Sequence, residues 1–124
     1  MNDSLYKEEL LDHYRHPRNS RIIEKANAVS QVLNPSCGDR IGLQLMILNG
    51  RIADIAFQGA GCVISQAAAS MLTEHALHKS VISLEALTKD DMLTLVGIPL
   101  GPTRLRCALL SLEALHNALA AYKK

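Results

Sequence analysis

Residues 41–57 read IGLQLMILNGRIADIAF. Ile41, Leu43, Leu45 and Ile47 alternate with smaller or polar residues, the period of a strand with one buried face. Ile52, Ile55 and Phe57 repeat the pattern less regularly. Between the runs stands Asn49-Gly50, a pair that readily adopts the left-handed backbone angles of a two-residue hairpin. The stretch therefore predicts antiparallel strands over 41–48 and 51–58. Upstream, AVSQVLN at 28–34 predicts a further strand. It is separated from the hairpin by NPSCGD (34–39), a turn opened by Asn34-Pro35, in which Gly38 permits an unusual backbone angle.

The flanks read as helix. Tyr6, Leu10 and Tyr14 recur at four-residue spacing over 4–15, and His16-Pro17 stops that run, because proline pushes the residue before it out of helical geometry. A run over about 63–78 places Ile64, Ala68, Met71 and His75 on one face. Its segment Ala67-Ala68-Ala69-Ser70 is slim enough to pack close to a neighbour. Residues 83–96 predict one or two short helices, with Ser83 and Thr88 as caps and Gly97 as a stop. IPLGPT (98–103) is a rigid connector. Thr103 is placed to cap a last helix over about 104–121, whose stripe is Leu105, Leu109, Leu112, Leu115 and Leu119. The expected fold class is α+β: one compact domain over 1–124, with a small antiparallel sheet of about three strands packed with helices.

The composition agrees with such a core and narrows the function. Hydrophobic residues make up 48% of the 124, while aromatics are only 3%, with no Trp and one Phe, so the core must be aliphatic and Ala-rich. Net charge is +1, from 13 basic and 12 acidic residues, which makes no electrostatic case for nucleic acid or an anionic membrane. Stacking platforms for single strands are missing too. Charges break every apolar stretch well before the roughly 20 residues that span a bilayer. The opening MNDSLYKEELLDHY is charged and amphipathic, without an apolar signal core, so the expected location is cytoplasmic.

Three cysteines, an odd number, suit buried inert thiols, metal ligands or catalytic thiols better than a disulfide framework. Cys37 lies in the NPSCGD turn, Cys62 follows Gly59 and Gly61, and Cys107 is expected in the first turn of the last helix. Two thiols thus fall near helix N-termini, where partial positive charge favours thiolate. Glycines beside a ligand let backbone amides reach sulfur. Asp39 stands two residues after Cys37, close enough for both to meet one ion across a tight turn. Three thiolates and a carboxylate would suit tetrahedral zinc, or a [2Fe–2S] cluster held more loosely than by four thiolates. Neither cysteine spacing is a CxxC pair. From the residues alone, three hydrophobe-like buried cysteines and an Asp in a turn hydrogen bond are an equal reading.

NPSCGDRI (34–41), FQGAGCVISQAAASMLTE (57–74) and RLRCALLSLEAL (104–115) resemble the U-type iron–sulfur scaffold family. LYKEELLDHYRHPRN (5–19) resembles its N-terminal helix and the turn after it. The resemblance spans nearly the whole chain in order. It implies that Cys37, Asp39, Cys62 and Cys107 bind zinc or carry a nascent [2Fe–2S] cluster. It also implies a PLP-dependent cysteine desulfurase and apo iron–sulfur acceptor proteins as partners; the composition above is the ground for expecting no nucleic acid and no membrane. In the IscU branch a histidine precedes the third cysteine; here Arg106, which cannot ligate, takes that place. LGPTR (100–104) stands where that branch has an LPPVK chaperone motif. Only Pro102 fits well, which makes docking of a dedicated Hsp70-type chaperone doubtful. RxRC and CGDRI look more like the SufU branch, in which zinc-bearing proteins accept sulfur from the desulfurase, with Cys37 the candidate acceptor. The insertion of about twenty residues usual in that branch, well beyond ordinary loop variation, is absent.

Arg104, near the family site, is a candidate for electrostatic support of a thiolate or persulfide. Arg106 reads equally as functional or solvated. His75 and His78 share a metal-compatible spacing but lack a carboxylate–histidine pattern, so the five histidines read as surface or partly buried groups.

Overall fold

The computed structural model describes residues 3–35 and 38–122, with side-chain surroundings from Lys7 onward. The elements run α1 (Asp3–Arg15), β1 (Ala28–Asn34), β2 (Asp39–Leu48), β3 (Arg51–Ala60), α2 (Val63–Ala76), α3 (Val81–Glu85), α4 (Lys89–Val96) and α5 (Pro102–Tyr122). The three strands form one antiparallel sheet in the order β1-β2-β3. The α+β expectation holds, with the predicted elements in place.

Asn49 and Gly50 join β2 to β3 with φ of 55° and 74°, the left-handed pair that matches the twist of the flanking strands. Register follows the alternation: Leu43 faces Phe57 and Leu45 faces Ile55, and Ile41, Leu43, Leu45 and Ile47 are all buried. The outer edge of β3 is covered by backbone from elsewhere. Phe57 N–H donates to the Asn19 carbonyl and Ile52 N–H to that of Lys79, both at 2.9 Å. β1 is tied to α5 by the Ser30 hydroxyl, which donates to the Ala114 carbonyl at 2.6 Å.

Ala67, Ala68, Ala69 and Ser70 are buried, and α2 packs between α1 and α5 as its slim face allows. Residues 81–96 form two helices. α3 is capped by Ser80 rather than Ser83, which lies inside it. α4 carries a full capping box, Thr88 with Asp91, and ends on Gly97 at φ 81°. The stripe of α5 is rotated from the expected one. Leu112, Leu115 and Leu119 are buried with Cys107, Ala108 and Leu110, while Leu105 and Leu109 are only half-buried. No helix among the described residues is long and apolar enough to cross a membrane.

α1 differs from its expected face. Leu10 is buried and Tyr14 is 43% exposed, because His13 takes the inward position at 3% exposure. The histidines do not all lie at the surface. His13 Nδ1 sits 2.7 Å from the Ser70 Oγ, which also accepts the Arg18 N–H at 2.8 Å. His13 Nε2 lies 3.7 Å from the Glu74 carboxylate. Burial, reinforced by the Arg18 charge, holds the His13 pKa below its ordinary 6.5; Glu74, Glu9 and Asp12 oppose this more weakly. A base with a depressed folded pKa binds more protons unfolded, so its contribution to stability is present above pH 6.5 and is lost as pH falls below it. The melting temperature should therefore drop between neutral and mildly acidic pH, and His13→Gln should flatten that drop. Ser70→Ala should cost about 1–3 kcal/mol by leaving the Arg18 N–H and Nδ1 unpaired.

Candidate metal centre

The β1–β2 ladder ends with Asn34 opposite Asp39, and Gly38 N–H donates to the Asn34 carbonyl at 2.9 Å. Asp39, expected in the turn, is the first residue of β2, since pairing continues past Ile41 on both sides: Arg40 faces Leu33 of β1 and Ala60 of β3. That pairing leaves Asp39 with no exposed surface. A buried carboxylate needs partners, and Oδ1 accepts the Cys62 N–H at 2.7 Å. Oδ2 lies 3.8 Å from the Cys62 Sγ.

Gly61 makes this approach possible. Its φ is 134°, and a Cβ there would lie 2.0 Å from the Asp39 Oδ1 and 2.8 Å from its Cα. The position accepts no side chain.

Cys62 is the N-cap of α2, with φ −72° and ψ 163°, and its Sγ accepts the Ser65 N–H at 3.4 Å. An N–H donor and the positive end of the helix both lie beside this sulfur. The amide that reaches sulfur is thus Ser65's, while the Cys62 amide is spent on Asp39. Sequence reading missed Ser65 because any residue three places after the cap supplies that N–H.

Cys107 is 2% exposed. It sits in the second turn of α5, not the first, because the helix starts at Pro102, whose missing N–H and preset φ suit a first helical position. Thr103 lies within the helix rather than capping it. Of the described cysteines, only Cys62 therefore stands at a helix N-terminus.

Asp39, Cys62 and Cys107 each offer one ligand atom, and these atoms lie within 4.8 Å of one another. Zinc–sulfur and zinc–oxygen bonds at a tetrahedral angle would separate sulfur from oxygen by about 3.6 Å; Cys62 Sγ and Asp39 Oδ2 are 3.8 Å apart. The donor set fits a tetrahedral ion. Cys37, the fourth expected ligand, lies outside the described residues; the chain keeps it two residues from Asp39. No other group of potential ligands forms among the described residues. His75 belongs to α2, whereas His78 is beyond the helix at φ 71°.

Arg104 is exposed and lines a groove of about 560 Å³ with Cys62, Cys107, Lys7, Leu11 and Ile98. The half-buried Cys62 reaches the surface there. Arg106 is exposed as well, but lines a different cavity beside Leu33 and Asn34.

A carboxylate at the start of a strand, an N-cap thiol and a thiol from a second helix thus meet at one end of a three-stranded sheet. The profile of the NifU-like N terminal domain matches residues 5–124, and the chain belongs to that family. It is 33% identical over 135 residues to the zinc-dependent sulfurtransferase SufU of Bacillus subtilis, covering 95% of this chain and 91% of that protein. It is 38% identical over 120 residues to the iron–sulfur cluster assembly scaffold protein IscU of Aquifex aeolicus, covering 94% and 75%. It is 35% identical over 118 residues to an IscU scaffold protein of Archaeoglobus fulgidus, covering 95% and 76%. At equal coverage of this chain, the longer alignment with SufU reflects residues there that have no counterpart here. Among solved structures, an iron–sulfur cluster assembly scaffold protein for the SUF system from Fervidobacterium islandicum superposes with a TM-score of 0.81 at 25% identity, covering 96% of this chain and 99% of that one.

Proposed function

We propose that this protein assembles iron–sulfur clusters, receiving sulfur from a PLP-dependent cysteine desulfurase and passing a [2Fe–2S] cargo to apo-proteins. The observation that carries this reading is the convergence of Asp39, Cys62 and Cys107 at one point. With Cys37 they make four donors, three soft and one hard. Oδ1 of Asp39 is committed to the Cys62 amide, so only Oδ2 is available to iron. A single hard oxygen is the weakest of the four holds, which favours release over storage. Cys107 anchors the buried side, and Cys62 opens onto the groove that Arg104 lines. The IscU relatives support the reading by their names.

A second reading is favoured by the SufU alignment and by Arg106 standing before Cys107: a sulfurtransferase with resident zinc. Zinc would keep the thiols deprotonated. The Cys37 thiolate would attack the outer sulfur of the desulfurase persulfide. A new S–S bond forms on Cys37, the donor's S–S bond breaks, and its electron pair leaves on the donor cysteine as thiolate. The Arg104 guanidinium, at the mouth of the groove, would favour the anionic forms.

The test is to purify the protein without chelator, measure its metal, and add desulfurase, cysteine and ferrous iron anaerobically while recording visible absorption. Cluster bands that grow in and then pass to an apo-ferredoxin establish the scaffold. About one zinc per chain that stays bound, with faster desulfurase turnover and no bands, establishes the sulfurtransferase. In either case Cys62→Ala and Cys107→Ala should lose most of the bound metal.

A further inference from the structure

The sheet has two outer edges, and they are finished differently. The edge of β3 is covered: Phe57 N–H donates to the Asn19 carbonyl, Ile52 N–H to that of Lys79 and His78 N–H to that of Ile52, at 2.8 to 2.9 Å. The edge of β1 is bare. Among the described residues, no hydrogen bond joins β1 to anything but β2, the turn at Gly38 and, through the Ser30 hydroxyl, α5. An edge strand in an antiparallel sheet turns alternate N–H and C=O groups outward, which makes it a template for a further strand.

Bare edges are ordinarily protected by charge, proline or a bulge. β1 has none of these. Residues 26–34, ANAVSQVLN, carry no charge and no proline. The pairs with β2 run from Ala28 to Asn34 without a register shift. Instead the strand presents apolar side chains: Val29 is 56% exposed and Leu33 67%, with exposed Gln31 between them. These three share the sheet face turned away from the core, since Ala28, Val32 and Asn34 are buried.

The strand is also complementary to itself. Residues directly opposite in an antiparallel pair share a face, so a two-fold axis must pass through a residue position. With the axis at Gln31, Val29 lies opposite the partner's Leu33, Leu33 opposite the partner's Val29, and Gln31 opposite its own copy. This register brings all seven residues of β1 into the new ladder. An axis at Ser30 or Val32 shortens the ladder and separates the apolar pairs. With no charge in the strand, no like-charge contact opposes the match. A cavity of about 610 Å³ between Leu33, Asn34 and α5 leaves space beside this edge. We infer that β1 is an interface for a second copy of this chain, joined strand to strand into a six-stranded sheet. The metal centres, at the Asn34 end of each β1, then lie toward opposite ends of the joint. A ladder this short buries less than the roughly 1,200 Å² of a standard interface, so the dimer is reversible, with a dissociation constant on the order of 100 μM. The interface requires no metal and stands apart from the cluster chemistry.

The test is sedimentation equilibrium on the full chain between about 10 μM and about 1 mM, which brackets that constant, with amide hydrogen exchange at both ends of the range. The chain should pass from monomer to dimer, and β1 amides should exchange more slowly at the higher concentration while those of Ile52 and Phe57 do not change. The double variant Val29→Lys, Leu33→Lys opposes two ammonium groups at each apolar pair and should weaken the dimer at least about tenfold. Val29→Lys with Leu33→Glu places opposite charges there and should recover much of the loss. Both changes fall on exposed side chains, so the fold is kept. A chain that stays monomeric to about 1 mM overturns the proposal and leaves the edge to an extended segment of another protein. A dimer that tolerates both lysines, or a charge-paired variant no better than the two-lysine one, overturns it as well.

Discussion

Gly61→Ala should strip the metal from this protein and destabilise it by more than about 3 kcal/mol, at the severe end for a single methyl group. The backbone there has φ 134°, a region in which an L-residue is strained by about 1–3 kcal/mol before any contact is counted. The added Cβ would then lie 2.0 Å from the Asp39 Oδ1 and 2.8 Å from the Asp39 Cα. Neither atom can retreat. The carboxylate is fully buried and holds the Cys62 N–H, and Asp39 is paired with Asn34 at the end of the ladder. Relief comes only by pulling Cys62 away from Asp39, which dismantles the ligand set. Gly38→Ala is the control: φ is 71°, but among the described residues no atom beyond its chain neighbours lies within 4 Å of the added carbon. It should cost about 1–2 kcal/mol of backbone strain and keep its metal. Thermal melts and metal content per chain read both. Equal metal retention in the two variants would show that the close approach at Gly61 is dispensable.

Asp39 holds the Cys62 amide and, on the proposed function, supplies a ligand oxygen; substitution can separate the two. Asp39→Ala removes the ligand oxygen and also orphans the Cys62 N–H, at a cost of about 1–3 kcal/mol in stability. Asp39→Asn keeps an oxygen for that N–H but puts an NH2 group where the ligand oxygen was, so it should cost less stability than Asp39→Ala. If the protein is a scaffold, losing the hard carboxylate should make the assembled cluster decay more slowly in both variants, and the Asn variant should do so with the smaller stability loss. Decay of the visible absorption in air measures this. A cluster that decays faster in the Asn variant would contradict the scaffold reading. A zinc-bearing sulfurtransferase should instead show weaker zinc binding and little sulfur transfer in both.

How much of this could be read along the chain varies by element. The β2–β3 hairpin was legible because alternation and the Asn49-Gly50 turn are properties of consecutive residues. α4 was legible from Thr88 and Gly97 for the same reason. The start of α5 was not. Pro102 and Thr103 both carry start signals, and the difference of two residues moved Cys107 from the first turn to the second. The inward face of α1 was misread because Tyr14 is the more apolar residue; His13 occupies the interior through its bond to Ser70, fifty-seven positions away.

By itself, then, the sequence determined the element order, the antiparallel hairpin, the family and the residue types of the site. Each of these depends on local periodicity, turn chemistry or motif. Only the tertiary structure decided that the Cys62 amide is held by Asp39, that Gly61 must be bare, and that Arg104 and Arg106 line different cavities. These depend on the register of β2 against its neighbours and on the phase of α5, where one residue is a rotation of about 100°. Register and phase are settled by packing between distant segments, so no stretch of neighbouring residues could specify them.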